Sequence, residues 1–217
     1  DLMNFPIYSA SYTQLPRILR SILRLCAATS SPSLGYQVHA FVVTTGASCL
    51  SNTFLFNALL HFYSSCGLTD YARTVFYQIP ETLKDLADWT SFFSCLSRHS
   101  NTLAEALTFF NQIRRNNFHP DCVLMASVFS LCAKAGELSY GRQAHGHLVK
   151  SGLQSSVMAS NSLMNMYAKG DRGNDARRVF VSMEERTVVS WSIMVDALVR
   201  EGRVEEAREV FDGMPER

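Results

Sequence analysis

Residues Val157 to Thr187, VMASNSLMNMYAKGDRGNDARRVFVSMEERT, decide the fold, because their pattern returns in altered form along most of the 217-residue chain. Leu163, Met166 and Tyr167 stand at i, i+3 and i+4, which puts three apolar side chains on one face of a short helix that Gly170 can end. Ala176, Val179, Phe180 and Met183 then stand at i, i+3, i+4 and i+7, with Asp175, Arg177, Arg178 and Ser182 on the opposite face. The unit is a helical hairpin. Helices of about ten residues are too short to be stable alone and cannot bury both stripes within one hairpin, so the unit requires stacked neighbours.

The neighbours are present. The second-helix quartet returns as Ala72, Val75, Phe76, Ile79, as Ala106, Phe109, Phe110, Ile113, and as Ala207, Val210, Phe211, Met214, with starts 34, 70 and 31 residues apart. The first-helix trio returns as Leu59, Phe62, Tyr63 and, more loosely, as Met194, Ala197, Leu198. A period in the thirties marks a solenoid, and no segment alternates with strand composition, so the expected fold is all-α with essentially no sheet.

Composition agrees with a continuous repeat core: 47% of residues are hydrophobic, spread evenly and without a polar linker. The formal charge of +1 does not by itself announce a nucleic-acid binder, although Arg17, Arg20 and Arg24 give the first helix a basic face. No apolar run approaches the roughly 18 residues of a membrane span and no secretory pattern is present, so a soluble chain without a membrane partner is expected. The six cysteines form no CxxC pair and are read as reduced; Cys26 and Cys132 take equivalent places after Leu25 and Leu131, where a small buried thiol packs.

Residues 1 to 15 lack a stable period and read as a lead-in. The start at Asp1 and an unfinished last unit point to a piece of a longer chain. Residues 16 to 52 are a variant unit, with Ile22, Leu25 and Cys26 on helix one and Gly35, Val38, His39 and Val42 on helix two. Residues 122 to 156 repeat the variation with Gly141 and His145 where other units carry Ala and Phe, so both histidines read as structural hydrogen-bonding residues and not as ligands. Units 53–85 and 86–121 lie between the variants, and 157–187 and 188–217 come after them. A superperiod supports that order: Cys26 to Cys132 is 106 residues, Asn57 to Asn161 is 104 and Trp89 to Trp191 is 102.

NALLHFYSSCG at 57 to 67, NSLMNMYAKG at 161 to 170, GYQVHA from Gly35, GRQAHG from Gly141, SW from Ser190 and FDGMPER from Phe211 resemble the plant pentatricopeptide repeats with alternating P, L and S units, over about 200 of the 217 residues. The resemblance implies a single repeat array with right-handed α-solenoid stacking. In it 16–52 is similar to an L unit, 53–85 to S, 86–121 to P, 122–156 to L and 157–187 to S, while 188–217 mixes a P-like start with an S-like end.

Stacked hairpins line up equivalent first-helix residues along one surface, and an extended ligand such as single-stranded RNA can meet that surface step by step. The resemblance implies that the fifth and last residues of each unit contact a base edge and that the second packs on base faces. Those places hold Asn57 with Asp85, Thr90 with Asp121, Ala126 with Ser156, Asn161 with Thr187, and Ser192 alone. Short amides and hydroxyls suit the task because each offers a donor or acceptor to a splayed base. The implied bases are U at Asn57 and Asp85, G at Thr90 and Asp121, and a weaker pyrimidine at Asn161 and Thr187. The units of Ala126 and Arg20 are unreadable. Phe54, Val123, Met158 and Val189 fill the second position, with packing between repeats as the competing reading. For Asn57 and Asn161 the competing reading is a helix cap.

An enzyme is disfavoured. None of the histidines is followed by x-Glu as a zinc deaminase requires, and no phosphate-binding loop, G-x-S-x-G or dinucleotide turn is present. A protein-binding solenoid similar to tetratricopeptide repeats shares A-x3-F but keeps a constant period of about 34 residues, whereas these units alternate in length. The expected role is sequence-specific single-stranded RNA binding in a plant organelle, the mitochondrion or alternatively the chloroplast, as the recognition part of a C-to-U editing factor. A cytidine deaminase domain or editing cofactor protein is the implied partner, with RNA stabilisation or splicing as the alternative role and no metal or cofactor.

Overall fold

The computed structural model describes residues 15–29, 31–44, 53–98, 103–116 and 118–215. The lead-in up to residue 14, Cys49 and the Phe54 side chain lie outside them. The described residues form twelve α-helices and no strand. In chain order these are α1 (Leu15–Thr29), α2 (Pro32–Thr44), α3 (Thr53–Ser65), α4 (Thr69–Gln78), α5 (Leu86–Arg98), α6 (Leu103–Arg115), α7 (Cys122–Ala135), α8 (Leu138–Lys150), α9 (Val157–Lys169), α10 (Gly173–Ser182), α11 (Val188–Arg200) and α12 (Val204–Asp212). They divide into two compact units, Asp1–His99 and Ser100–Arg217.

In the first unit α1 pairs with α2 and α3 with α4, while α1 packs on α3 and α3 on α5. The first helices of successive hairpins therefore lie side by side. The second unit repeats the plan, with α7, α9 and α11 adjacent and α8, α10 and α12 as their hairpin partners. The periodic positions make this core: Leu163, Met166, Tyr167, Ala176, Val179, Phe180 and Met183 are all buried, and the Phe180 ring meets Trp191 edge-on at 4.9 Å. Cys26 and Cys132 are buried, and the five described cysteines are free thiols.

Three positions depart from the pattern. Leu25 is 66% exposed, whereas Leu131 in the same register is buried. Phe211 on α12 is 44% exposed, whereas Phe180 in the same register is buried. Gly170 directly succeeds the last residue of α9, but the left-handed residue of that turn is Asp171, with φ 53°; the equivalent places elsewhere are glycines, Gly67, Gly136 and Gly202. Aspartate is among the few residues that tolerate this conformation.

The glycine–histidine hairpins owe their composition to the helix next in the chain. A Cβ on Gly35 would lie 2.0 Å from Cζ of Phe62, and one on Gly141 would lie 2.0 Å from Sδ of Met166. Each glycine is a notch that the next hairpin fills. One helical turn further, His39 Nδ1 shares a 2.6 Å hydrogen bond with the Tyr63 hydroxyl, and His145 Nδ1 a 2.9 Å bond with that of Tyr167. The histidines are structural, and each holds the neighbouring tyrosine.

Candidate nucleic-acid interface

The fifth-position residues project from the middle of the first helices. Asn57 on α3 and Asn161 on α9 are half-buried, and each carries its side-chain oxygen into the protein where no hydrogen-bond partner meets it. Thr90 on α5 is 8% exposed, and its hydroxyl is likewise enclosed and unpartnered. An enclosed polar group without a partner costs on the order of 1–3 kcal/mol. Three such groups fall in one register. Neither asparagine caps a helix. Ala126 is buried and its side chain has no hydrogen-bonding group. Ser192 is exposed, donates to the Val188 carbonyl at 2.8 Å, and lines a cleft of about 350 Å³ with Asp196, Val199, Phe211 and Met214.

The last residues of the units take the capping role instead. Asp121 accepts from the Leu124 N–H at 2.8 Å at the start of α7, and Ser156 from the Ala159 N–H at 3.4 Å at the start of α9. At α11 the Thr187 N–H donates to Ser190 Oγ at 3.1 Å. Asp85 and Asp88 form a reciprocal pair at α5: the Asp88 N–H donates to Asp85 at 2.9 Å and the Asp85 N–H to Asp88 at 3.0 Å. These are N-cap bonds, satisfying amides that the first helical turn leaves open. The cap fixes each residue where one unit ends and the next first helix begins. A carboxylate has acceptor capacity beyond the single bond a cap uses, so capping and ligand contact are compatible. The signal for the caps is readable as D-x-x-D at 85 and T-x-x-S at 187.

Asp88 is fully buried behind Asp85. Burial pushes its carboxyl up to about 6; the Asp85 N–H and Lys84 oppose that rise and the Asp85 carboxylate assists it.

Asn57 and Asp85 are brought together. Both line one cleft of about 370 Å³, with Arg20 and Arg24 of α1, His61 of α3 and Ser91 of α5. Thr90 belongs to the first compact unit and Asp121 to the second. Asn161 and Thr187 both belong to the second unit, where α9 packs against α11. Among the second-position residues, Val123, Met158 and Val189 are 45%, 46% and 57% exposed. That exposure leaves part of three apolar side chains at the surface, each on the first turn of a first helix.

The model of the pentatricopeptide repeat (PPR repeat) family matches residues 54–81, 159–188 and 189–217. The chain is 38% identical over 191 residues to Pentatricopeptide repeat-containing protein At5g15340, mitochondrial, of Arabidopsis thaliana, covering 88% of this chain and 30% of that protein. It is 37% identical over 196 residues to At1g59720, chloroplastic/mitochondrial, of the same plant, covering 89% of this chain and 30% of that protein. The chain thus spans about three-tenths of the length of the curated relatives it matches. Among solved structures it is similar to the pentatricopeptide repeat protein PPR10 in complex with an 18-nt psaJ RNA element, with a TM-score of 0.72 at 21% identity over 91% of this chain and 30% of that one. PPR10 from maize matches with a TM-score of 0.62 at 18% identity over 88% of this chain and 32% of that one. The likeness establishes the fold, stacked helical hairpins of the α-solenoid class.

Proposed function

We propose that this chain is a segment of a pentatricopeptide repeat array that binds single-stranded RNA sequence-specifically. The observation that carries the reading is the cleft that Asn57 and Asp85 both line, the second fixed there as a helix cap. A base edge inserted there is offered the polar groups of the amide and the carboxylate, and a U fits that pair. Thr90, Asn161 and Ser192 act as base contacts in their own units, and Asp121 and Thr187 contribute from their cap positions. Val123, Met158 and Val189 offer apolar faces for the bases to stack on.

The units keep the alternating order, L at 16–52 and 122–156, S at 53–85 and 157–187, P at 86–121, with 188–217 mixed, and form one array. The RNA is organellar, a reading supported by relatives named mitochondrial or chloroplastic. The alternating order supports a role as the recognition part of a C-to-U editing factor working with a cytidine deaminase domain or editing cofactor protein. Fluorescence anisotropy with a randomised single-stranded RNA pool, duplex RNA and a peptide pool tests the reading. Binding confined to single-stranded RNA at low salt is the expected result; capture of peptides with no RNA binding would overturn it in favour of a protein-binding solenoid.

A further inference from the structure

We infer that Arg20 and Arg24 form a phosphate-binding wall of the Asn57–Asp85 cleft, so that the hairpin 16–52 contributes backbone contact although it reads no base. The inference rests on the RNA-binding reading above and adds the part of the nucleotide that these side chains take. The two arginines stand at i and i+4 on α1, which places them on one helix face, one above the other. Leu19, Ile22, Leu23 and Cys26 turn the opposite face into the core, so both guanidiniums are directed to the cleft they line. Their register repeats in the next hairpin: Arg20 precedes Asn57 by 37 residues and Arg24 precedes His61 by 37. The position that carries a base reader on α3 therefore carries a fixed cation on α1, immediately beside it.

The surroundings set Arg24 apart from seven other arginines of the chain. Arg73, Arg172, Arg177, Arg178, Arg200, Arg203 and Arg208 are ion-paired with carboxylates. Arg24 has no such pair among the described residues and is exposed at the cleft. With a net charge of only +1 the chain has no broad basic field, so backbone attraction depends on local cations. A guanidinium matches a phosphate with two parallel hydrogen bonds and has no acceptor to offer a base edge. Each nucleotide whose base enters the cleft brings a phosphate with it, and the arginine wall is the cationic surface available to that phosphate there.

The test is the salt dependence of RNA binding by the whole 217-residue chain and by Arg20→Gln, Arg24→Gln and the double variant. The RNAs are a randomised single-stranded pool and two oligonucleotides drawn from it that differ only by U or G at the position facing α3. Loss of each phosphate contact is expected to weaken binding equally for both oligonucleotides and to make the plot of log affinity against log salt shallower by about 0.7. Arg24→Lys is expected to keep most of the slope, and matched thermal melts separate lost contact from lost folding. Wild-type slope and affinity in the folded double variant would overturn the phosphate wall while leaving RNA binding intact. A changed U-to-G ratio with an unchanged slope would overturn it in favour of base contact by the arginines. Failure of the wild-type chain to bind any RNA would overturn the RNA-binding reading itself, and this inference with it.

Discussion

The two glycine–histidine hairpins make the same joint with different fillers. At Gly35 the notch receives the rigid ring of Phe62, set among stacked aromatics: Tyr63 lies 5.3 Å from Tyr71 with near-parallel planes, and Tyr36 lies 5.3 Å from Tyr71. At Gly141 it receives the thioether of Met166. The histidine–tyrosine hydrogen bond is present in both. The geometry of the joint is thus set by the missing Cβ and the polar bond, while the filler's stiffness varies. Ordinary hairpins carry Ala and Phe in these places, and the matching position of the next first helix then varies: Cys95 after Ala72, Leu131 after Ala106 and Ala197 after Ala176, against Phe62 and Met166.

The largest expected effect tests the fillers. Gly35→Ala forces a methyl group into a ring that cannot bend, and overpacking of this kind costs about 1–3 kcal/mol. Gly141→Ala meets a flexible thioether that can rotate away, and the better helix propensity of alanine offsets the remainder, so the second substitution should be nearly neutral. Urea unfolding of both variants checks the ranking. Phe62→Met, which converts the first joint to the second, should restore most of the stability lost in Gly35→Ala. Equal losses at the two glycines, or no rescue, would show that filler stiffness does not distinguish the joints.

A smaller effect is expected from the polar bond. Tyr63→Phe and Tyr167→Phe each leave a half-buried imidazole nitrogen without its partner, at a cost of about 0.5–1.5 kcal/mol by the same unfolding measurement. The two costs should be similar because the bond is common to both joints.

The smallest effect is a pH dependence. Burial holds the His39 imidazole below its usual range, and burial does the same to His145 against the opposing pull of the Asp175 carboxylate. The folded state favours neutral histidine, so the unfolded chain takes up the proton first as pH falls. The stabilisation is complete above the unfolded value of about 6.5 and is lost as pH falls from there through the folded value. Unfolding measured at neutral and mildly acidic pH should show a shallower loss for His39→Gln than for wild type, with a smaller difference for His145→Gln. Identical pH profiles for wild type and His39→Gln would remove the histidine from the account.

Much of this is legible in the sequence because burial on a helix leaves a period. Leu163, Met166, Tyr167 and Phe180 can be placed inside from spacing alone. Leu25 and Phe211 cannot, since periodicity marks an apolar position but not whether a neighbour covers it. The turn at Asp171 lies one residue beyond its expected place because glycine at 170 is the more familiar helix stop. Asn57 and Asn161 are legible as a register, whereas the caps made by Asp85, Asp121, Ser156 and Thr187 rest on bonds three residues long that a search for repeats passes over. The cleft joining Arg20, Arg24, Asn57 and Asp85 depends on α1, α3 and α5 lying side by side, which no single segment specifies.

The most direct test of the account is the base chosen at the Asn57–Asp85 cleft. The wild-type chain and Asn57→Thr should each be allowed to select from a randomised single-stranded RNA pool, with the bound molecules sequenced and the folding of the variant confirmed by thermal melting. The account predicts U at one position of the wild-type selection and G at that same position for the variant, with the remaining positions unchanged and discrimination on the order of 1–3 kcal/mol by analogy with DNA mismatches. Identical selected sequences from the two folded proteins would contradict it.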